Sequence, residues 1–152
     1  MTNNDCLRRI RYILDFDDDK MIAMLALAGV EVNREEVCAW LKKDDDPDFQ
    51  KCSDSLMASF LNGLIIALRG EREGGVPKAE ATLNNNMIFM KLKIALNLKA
   101  DEILSILDTA DQNISKHELS AFFRRPGHKH YRECQDQILR NFLTGLRLTF
   151  RD

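Results

Sequence analysis

Displacing the chain by 82 positions lays residues 3–69 on residues 85–151 without a gap. The segment Phe49-Gln50-Lys51-Cys52-Ser53-Asp54 with Phe60-Leu61-Asn62-Gly63-Leu64 returns as Tyr131-Arg132-Glu133-Cys134-Gln135-Asp136 with Phe142-Leu143-Thr144-Gly145-Leu146. Asn3 and Asn4 fall on Asn85 and Asn86, Leu14 on Leu96, Asp19 on Asp101, Leu25 on Leu107, Glu36 on Glu118 and Ala39 on Ala121. About a fifth of the paired positions are identical, and an ungapped register of that length marks two copies of one structural unit. A unit this short rarely closes a sufficient core by itself, so surplus apolar surface on each copy is expected to be buried against the other.

The repeat divides the chain into a first helical copy over residues 1–70, a linker over 71–83 and a second copy over 84–152. The linker Gly70-Glu71-Arg72-Glu73-Gly74-Gly75-Val76-Pro77-Lys78 is charged and rich in Gly, with a Pro, which is the composition of exposed chain. Residues 1–70 carry 9 Lys and Arg against 13 Asp and Glu, whereas residues 84–152 carry 11 against 8. A polyanion is therefore expected on the second copy. No apolar run approaches the ~20 residues that span a bilayer, and the polar start Met1-Thr2-Asn3-Asn4-Asp5 lacks the basic and apolar regions of a signal peptide; a cytoplasmic protein without membrane contact is expected. Cys6, Cys38, Cys52 and Cys134 show no CxxC spacing and read as small apolar groups rather than disulfide partners.

Each copy reads as four helices. The Asn residues at 3–4 and 84–86 are placed to cap helix 1, whose apolar positions Leu7, Ile10, Ile13 and Leu14 match Phe89, Leu92, Ala95 and Leu96. Helix 2 carries Met21, Ile22, Met24 and Leu25 against Ile103, Leu104, Ile106 and Leu107, a set that suits core filling. Capping boxes at Asn33–Glu36 and Ser115–Glu118 start helix 3, in which Trp40 matches Phe122 as a core aromatic. Helices 2 and 3 with their short link resemble a helix-turn-helix. Helix 4 has the widest apolar stripe, Leu56, Met57, Phe60, Leu61, Leu64, Ile65 and Leu68, and a mid-helix Gly in both copies, Gly63 and Gly145. Because Gly costs about 1 kcal/mol inside a helix, both are expected to mark a close helix crossing, with the two copies of helix 4 at the centre against each other or against a helix of the opposite copy. The fold expected is all-α, two tandem four-helix repeats packed with pseudo-symmetry.

The copies part company after helix 3. Lys42-Lys43 and Arg124-Arg125 correspond, but Asp44-Asp45-Asp46-Pro47-Asp48 is replaced by Pro126-Gly127-His128-Lys129-His130. Cations near a helix C-terminus suit the macrodipole, which accounts for the basic pairs and not for the reversal after them. Arg124, Arg125, His128, Lys129, His130 and Arg132 are the candidate contacts to nucleic acid or another polyanion, with His128, Lys129 and His130 exposed beside Arg124 or Arg125 in the most positive patch of the molecule.

Motifs of catalysis are absent: no Walker loop, GxGxxG, HExxH or GxSxG occurs, so no catalytic residue, cofactor or metal site is assigned. His128, His130 and Cys134, with Cys52 if the copies face each other, have metal-ligand chemistry, but the first copy has no histidine. Cys134 has His130 four residues upstream, yet its match to Cys52, with Asp48 there, favours a shared structural role.

The doubled Phe/Tyr-x-x-Cys-x-Asp pattern followed by Phe-Leu-x-Gly-Leu, the Asn-Asn starts and the segment His128-Lys129-His130-Tyr131-Arg132-Glu133-Cys134 resemble the YehS-like family of small bacterial proteins over essentially the whole chain. That family has no assigned function, so the resemblance implies no catalytic or binding residue. Two functions compete on the residues alone. One is a non-enzymatic module binding nucleic acid or another polyanion through the second copy; the other is an adaptor that pairs with an acidic protein or with itself through complementary acidic and basic loops.

Overall fold

A computed structural model describes Met1–Asp152 as eight α-helices without strands. The first copy holds α1 (Asn3–Leu14), α2 (Asp18–Leu27), α3 (Arg34–Leu41) and α4 (Asp54–Arg69); the second holds α5 (Asn85–Ala95), α6 (Ala100–Thr109), α7 (Lys116–Phe122) and α8 (Asp136–Phe150). Every helix therefore has a counterpart 82 residues away, and residues 71–83 contain no helix. No helix is long and apolar enough to cross a membrane.

Local chemistry places the helix ends at matching points. Asp15 and Asn97, which correspond, both take the left-handed conformation (φ 55° and 53°) that turns the chain from the first helix of a copy into the second. Asp and Asn tolerate this region better than other side chains with a Cβ. Asn33 and Ser115 accept from the N–H of Glu36 and Glu118, whose carboxylates accept from the cap N–H in return. At the first helix of each copy the expectation holds for Asn84 and needs correction for the other asparagines. Thr2 and Asn84 are the caps, accepting from Asp5 and Met87, while Asn3, Asn4, Asn85 and Asn86 lie inside the helices.

Those internal asparagines are structural ties. Asn4 Nδ2 donates to the carbonyls of Trp40 and Gln50 (both 2.9 Å), and its Oδ1 accepts from Cys52 N–H at 3.0 Å. Asn86 repeats this with Phe122 and Arg132 carbonyls and Cys134 N–H. One buried amide thus satisfies the end of the third helix and the extended strand of chain that leads into the fourth, groups that would otherwise be unpaired out of water. Asn3 and Asn85 donate to Asp54 and Asp136 at 2.7 Å and to the carbonyls of Cys52 and Cys134.

The helix crossings also correct the sequence reading. Gly63 does not meet the opposite copy: a Cβ there would lie 1.7 Å from the carbonyl oxygen of Met24, in α2 of its own copy. At Gly145 the obstacle is the carbonyl oxygen of Ile106 in α6, at 2.1 Å. The missing side chains let the fourth helix of each copy press on its own second helix, backbone to backbone. Of the two arrangements expected for the fourth helices, packing on each other is not the one formed; each packs instead on a helix of the opposite copy, α4 on α5 and α8 on α1. Exchanging the copies turns one contact into the other, so the packing is pseudo-twofold. The same operation relates Asp54, which accepts from Leu83 N–H at 2.9 Å, to Asp136, which accepts from the Met1 ammonium. Leu83 and Met1 are themselves 82 residues apart. Each copy thereby grips the chain entering the other, and one continuous apolar cluster runs through both. Within it Phe89 stacks on Phe142 at 4.4 Å and meets Phe123 edge-on at 5.1 Å.

Candidate nucleic-acid interface and the interrepeat clefts

The loop after the third helix has the same backbone in both copies. Asp46, Phe49 and Gln50 donate to the carbonyls of Lys43, Asp46 and Ala39; His128, Tyr131 and Arg132 donate to those of Arg125, His128 and Ala121. The reversal of charge is therefore no requirement of the fold, since one hydrogen-bonded frame carries Asp44-Asp45-Asp46 in one copy and His128-Lys129-His130 in the other.

Arg124, Arg125, His128, Lys129, His130 and Arg132 are all exposed. None makes an ion pair with a carboxylate, although nine ion pairs form elsewhere. His128 Nδ1 accepts from His130 N–H at 3.0 Å, and the His130 ring stands 5.6 Å from that of His128 and 6.0 Å from that of His117. His117, Lys129, His130 and Arg132 surround a concavity of about 170 Å³ with Glu118 at its edge. Hydrogen bonds from the backbone and then the side chain of Ser115 hold the Glu118 carboxyl below the usual range, so an anion persists there. Arg124 turns to the other side, where it lines the cleft described next. His117, absent from the sequence-derived set, joins the site because α7 begins beside the loop.

Cys134 is separated from these histidines by burial. It is 1% exposed, and desolvation pushes its thiol up to about 12; Cys52 is likewise raised to about 12 and Cys6 to about 11. Burial of this kind disfavours the thiolate, the form that attacks or ligates, and no three His, Cys, Asp or Glu side chains gather as a metal set.

The two contacts between copies leave two pseudo-equivalent clefts. Between α1 and α8 the walls include Arg8, Arg9, Tyr12, Thr144 and Arg147, in a volume of about 440 Å³. Between α4 and α5 the corresponding positions are Met90, Lys91, Ile94, Asn62 and Ile65, in about 460 Å³. The second cleft is roofed by Pro77 and Lys78 of the linker and extended by Phe123 and Tyr131. Sequence reasoning missed it, although a signal existed: Met90 against Arg8, Ile94 against Tyr12 and Ile65 against Arg147 are changes of chemistry inside helices that otherwise correspond.

The family model described as "Protein of unknown function (DUF1456)" matches residues 3–70 and again 85–152, the two copies defined by the repeat. An "Uncharacterized protein YehS" from Escherichia coli (strain K12) is 45% identical over 147 residues, covering 96% of this chain and 94% of the relative. No solved structure matches.

Proposed function

We propose a function on the premise that the chain belongs to the DUF1456 family of unknown function, twice over: it is a non-enzymatic module that binds nucleic acid through the basic loop of its second copy. The observation that carries this is the set of six exposed, unpaired basic and imidazole side chains on a loop whose first-copy twin is acidic. Cations not engaged by protein carboxylates are free to neutralise phosphates, and binding of that kind carries little sequence information. Lys116 and His117, exposed at the start of α7, extend the face, and in a helix-turn-helix arrangement this is the end of the second helix that meets the duplex.

The test is fluorescence anisotropy with labelled duplex and single-stranded oligonucleotides across a salt series. Binding should weaken with salt, with a log–log slope of about −2 to −3 if Arg125, Lys129 and Arg132 contact phosphates. Lys129→Glu with Arg132→Glu should abolish it, while Arg34→Glu on the first copy should leave it intact. Affinity indifferent to the double substitution would dispose of this site.

A second function is favoured by the matched loop backbones. Opposite charge on identical frames suits head-to-tail association, with the acidic loop of one chain on the basic loop of the next. A solution mass that rises with concentration, falls with salt and returns to monomer on Asp44→Lys with Asp45→Lys would select it.

A further inference from the structure

We propose that the cleft between α4 and α5 binds a small organic acid, a carboxylate carried on an apolar body. This site borders the basic loop, from which it takes Arg124, but does not depend on the nucleic-acid function. Its walls are Ile65, Ile66, Met87, Met90, Ile94 and Phe123, and its volume of about 460 Å³ falls within the range of small-molecule pockets. The fold does not demand this apolar surface, because the pseudo-equivalent cleft carries Arg147, Arg8 and Tyr12 at the places of Ile65, Met90 and Ile94. Ile94 is left 44% exposed, an apolar side chain held in water at the edge of a hollow.

Polar groups in the cleft are arranged to donate. Asn62 is 2% exposed, and its Oδ1 accepts from Lys91 Nζ at 2.7 Å while its Nδ2 has no acceptor. Lys91 also pairs with Glu80 at 3.0 Å, which leaves the ammonium one N–H to spare. An orphaned amide donor beside a cation with spare capacity is suited to the oxygens of a carboxylate. Arg72, Lys78 and Arg124 line the same cleft, are exposed and make no ion pair, so the lining presents four cations against the single carboxylate of Glu80. Glu80 Oε1 is itself without a donor, and the surrounding positive charge offsets its repulsion of an incoming anion.

The experiment is titration of the isotope-labelled full chain with decanoate and, in parallel, with decanol, followed in two-dimensional amide spectra. Saturable shifts are expected at the Asn62 side-chain amide, Lys91, Ile94 and Phe123, with a dissociation constant below about 1 mM. Ile94→Glu alters an exposed position and leaves the core intact. It should weaken decanoate by about tenfold or more, as should Arg72→Glu with Lys78→Glu. Decanol should bind more weakly than decanoate and be insensitive to the charge reversals. Absence of saturable shifts at about 1 mM, shifts centred on Arg9, Tyr12 and Arg147, shifts that survive Ile94→Glu, or decanol binding as tightly as decanoate would each overturn the proposal.

Discussion

Replacing Gly63 by Ala adds one methyl group at the tightest point of the first copy. An Ala Cβ would lie 1.7 Å from the Met24 carbonyl oxygen and 2.7 Å from its carbon. Ordinary contact is longer by roughly 2 Å, and the obstacle is helix backbone, which no rotamer change can move aside. Restoring contact therefore requires α2 to retreat from α4 and to withdraw Met21, Met24 and Leu25 from the core they fill. Overpacking of this kind costs about 1–3 kcal/mol and occasionally more. With a backbone obstacle the upper end applies, and the better helix propensity of Ala returns only about 1 kcal/mol. A net loss of about 2 kcal/mol corresponds to a fall in melting temperature of roughly 4–8 °C for a chain of this size. Circular dichroism melts of Gly63→Ala and Gly145→Ala should both show it. Gly127→Ala is the control, since nothing lies within 4 Å of its added Cβ, and its midpoint should hold or rise slightly. A midpoint for Gly63→Ala at or above that of the parent protein would refute the backbone crossing.

Two further perturbations probe the joints of the fold. Asn86→Ala removes three hydrogen bonds and strands the Phe122 and Arg132 carbonyls and the Cys134 N–H, for a loss of about 3 kcal/mol or more in urea unfolding; a loss below about 1 kcal/mol would contradict it. Asp54 has its carboxyl lowered chiefly by the Leu83 N–H and then by the Asn3 amide. A depressed folded value means stabilisation present above the unfolded pKa of about 3.9 and lost as pH falls through the folded one. Asp54→Asn should accordingly flatten the acid limb of stability against pH, and an unchanged slope would show that the tie to Leu83 contributes nothing.

Much of the fold was legible because the signals it depends on are local or periodic. Capping boxes at Asn33 and Ser115 report helix starts through bonds three residues long, and the repeat itself says that two units must share a core. The glycines were recognised as crossing points, but a missing side chain carries no address, and the partner proved to be the nearer helix of the same copy. Asn4 and Asn86 were misread for a related reason. An Asn near a helix start has two uses, to cap its own backbone or to tie distant backbone, and only the fold brings Trp40 and Gln50 carbonyls within reach of one of them. In the candidate site the charge reversal was legible and its meaning was not, until the loop backbones proved alike.

The pseudo-twofold explains where new chemistry can arise in such a chain. Positions that brace each copy or tie it to the other are constrained in both at once: Asn4 and Asn86, Asp54 and Asp136, and Gly63 and Gly145 keep their identity because each performs the same bond or crossing in each copy. Positions that line the two clefts or tip the two loops touch little of that machinery, so they are free to differ. Arg8, Tyr12 and Arg147 on one side stand opposite Met90, Ile94 and Ile65 on the other, and Asp46 stands opposite His128. A duplicated fold with one frame and two chemistries has the means to hold different ligands at equivalent places. The sites to examine first are therefore those where paired residues diverge in charge or polarity while their backbones remain alike.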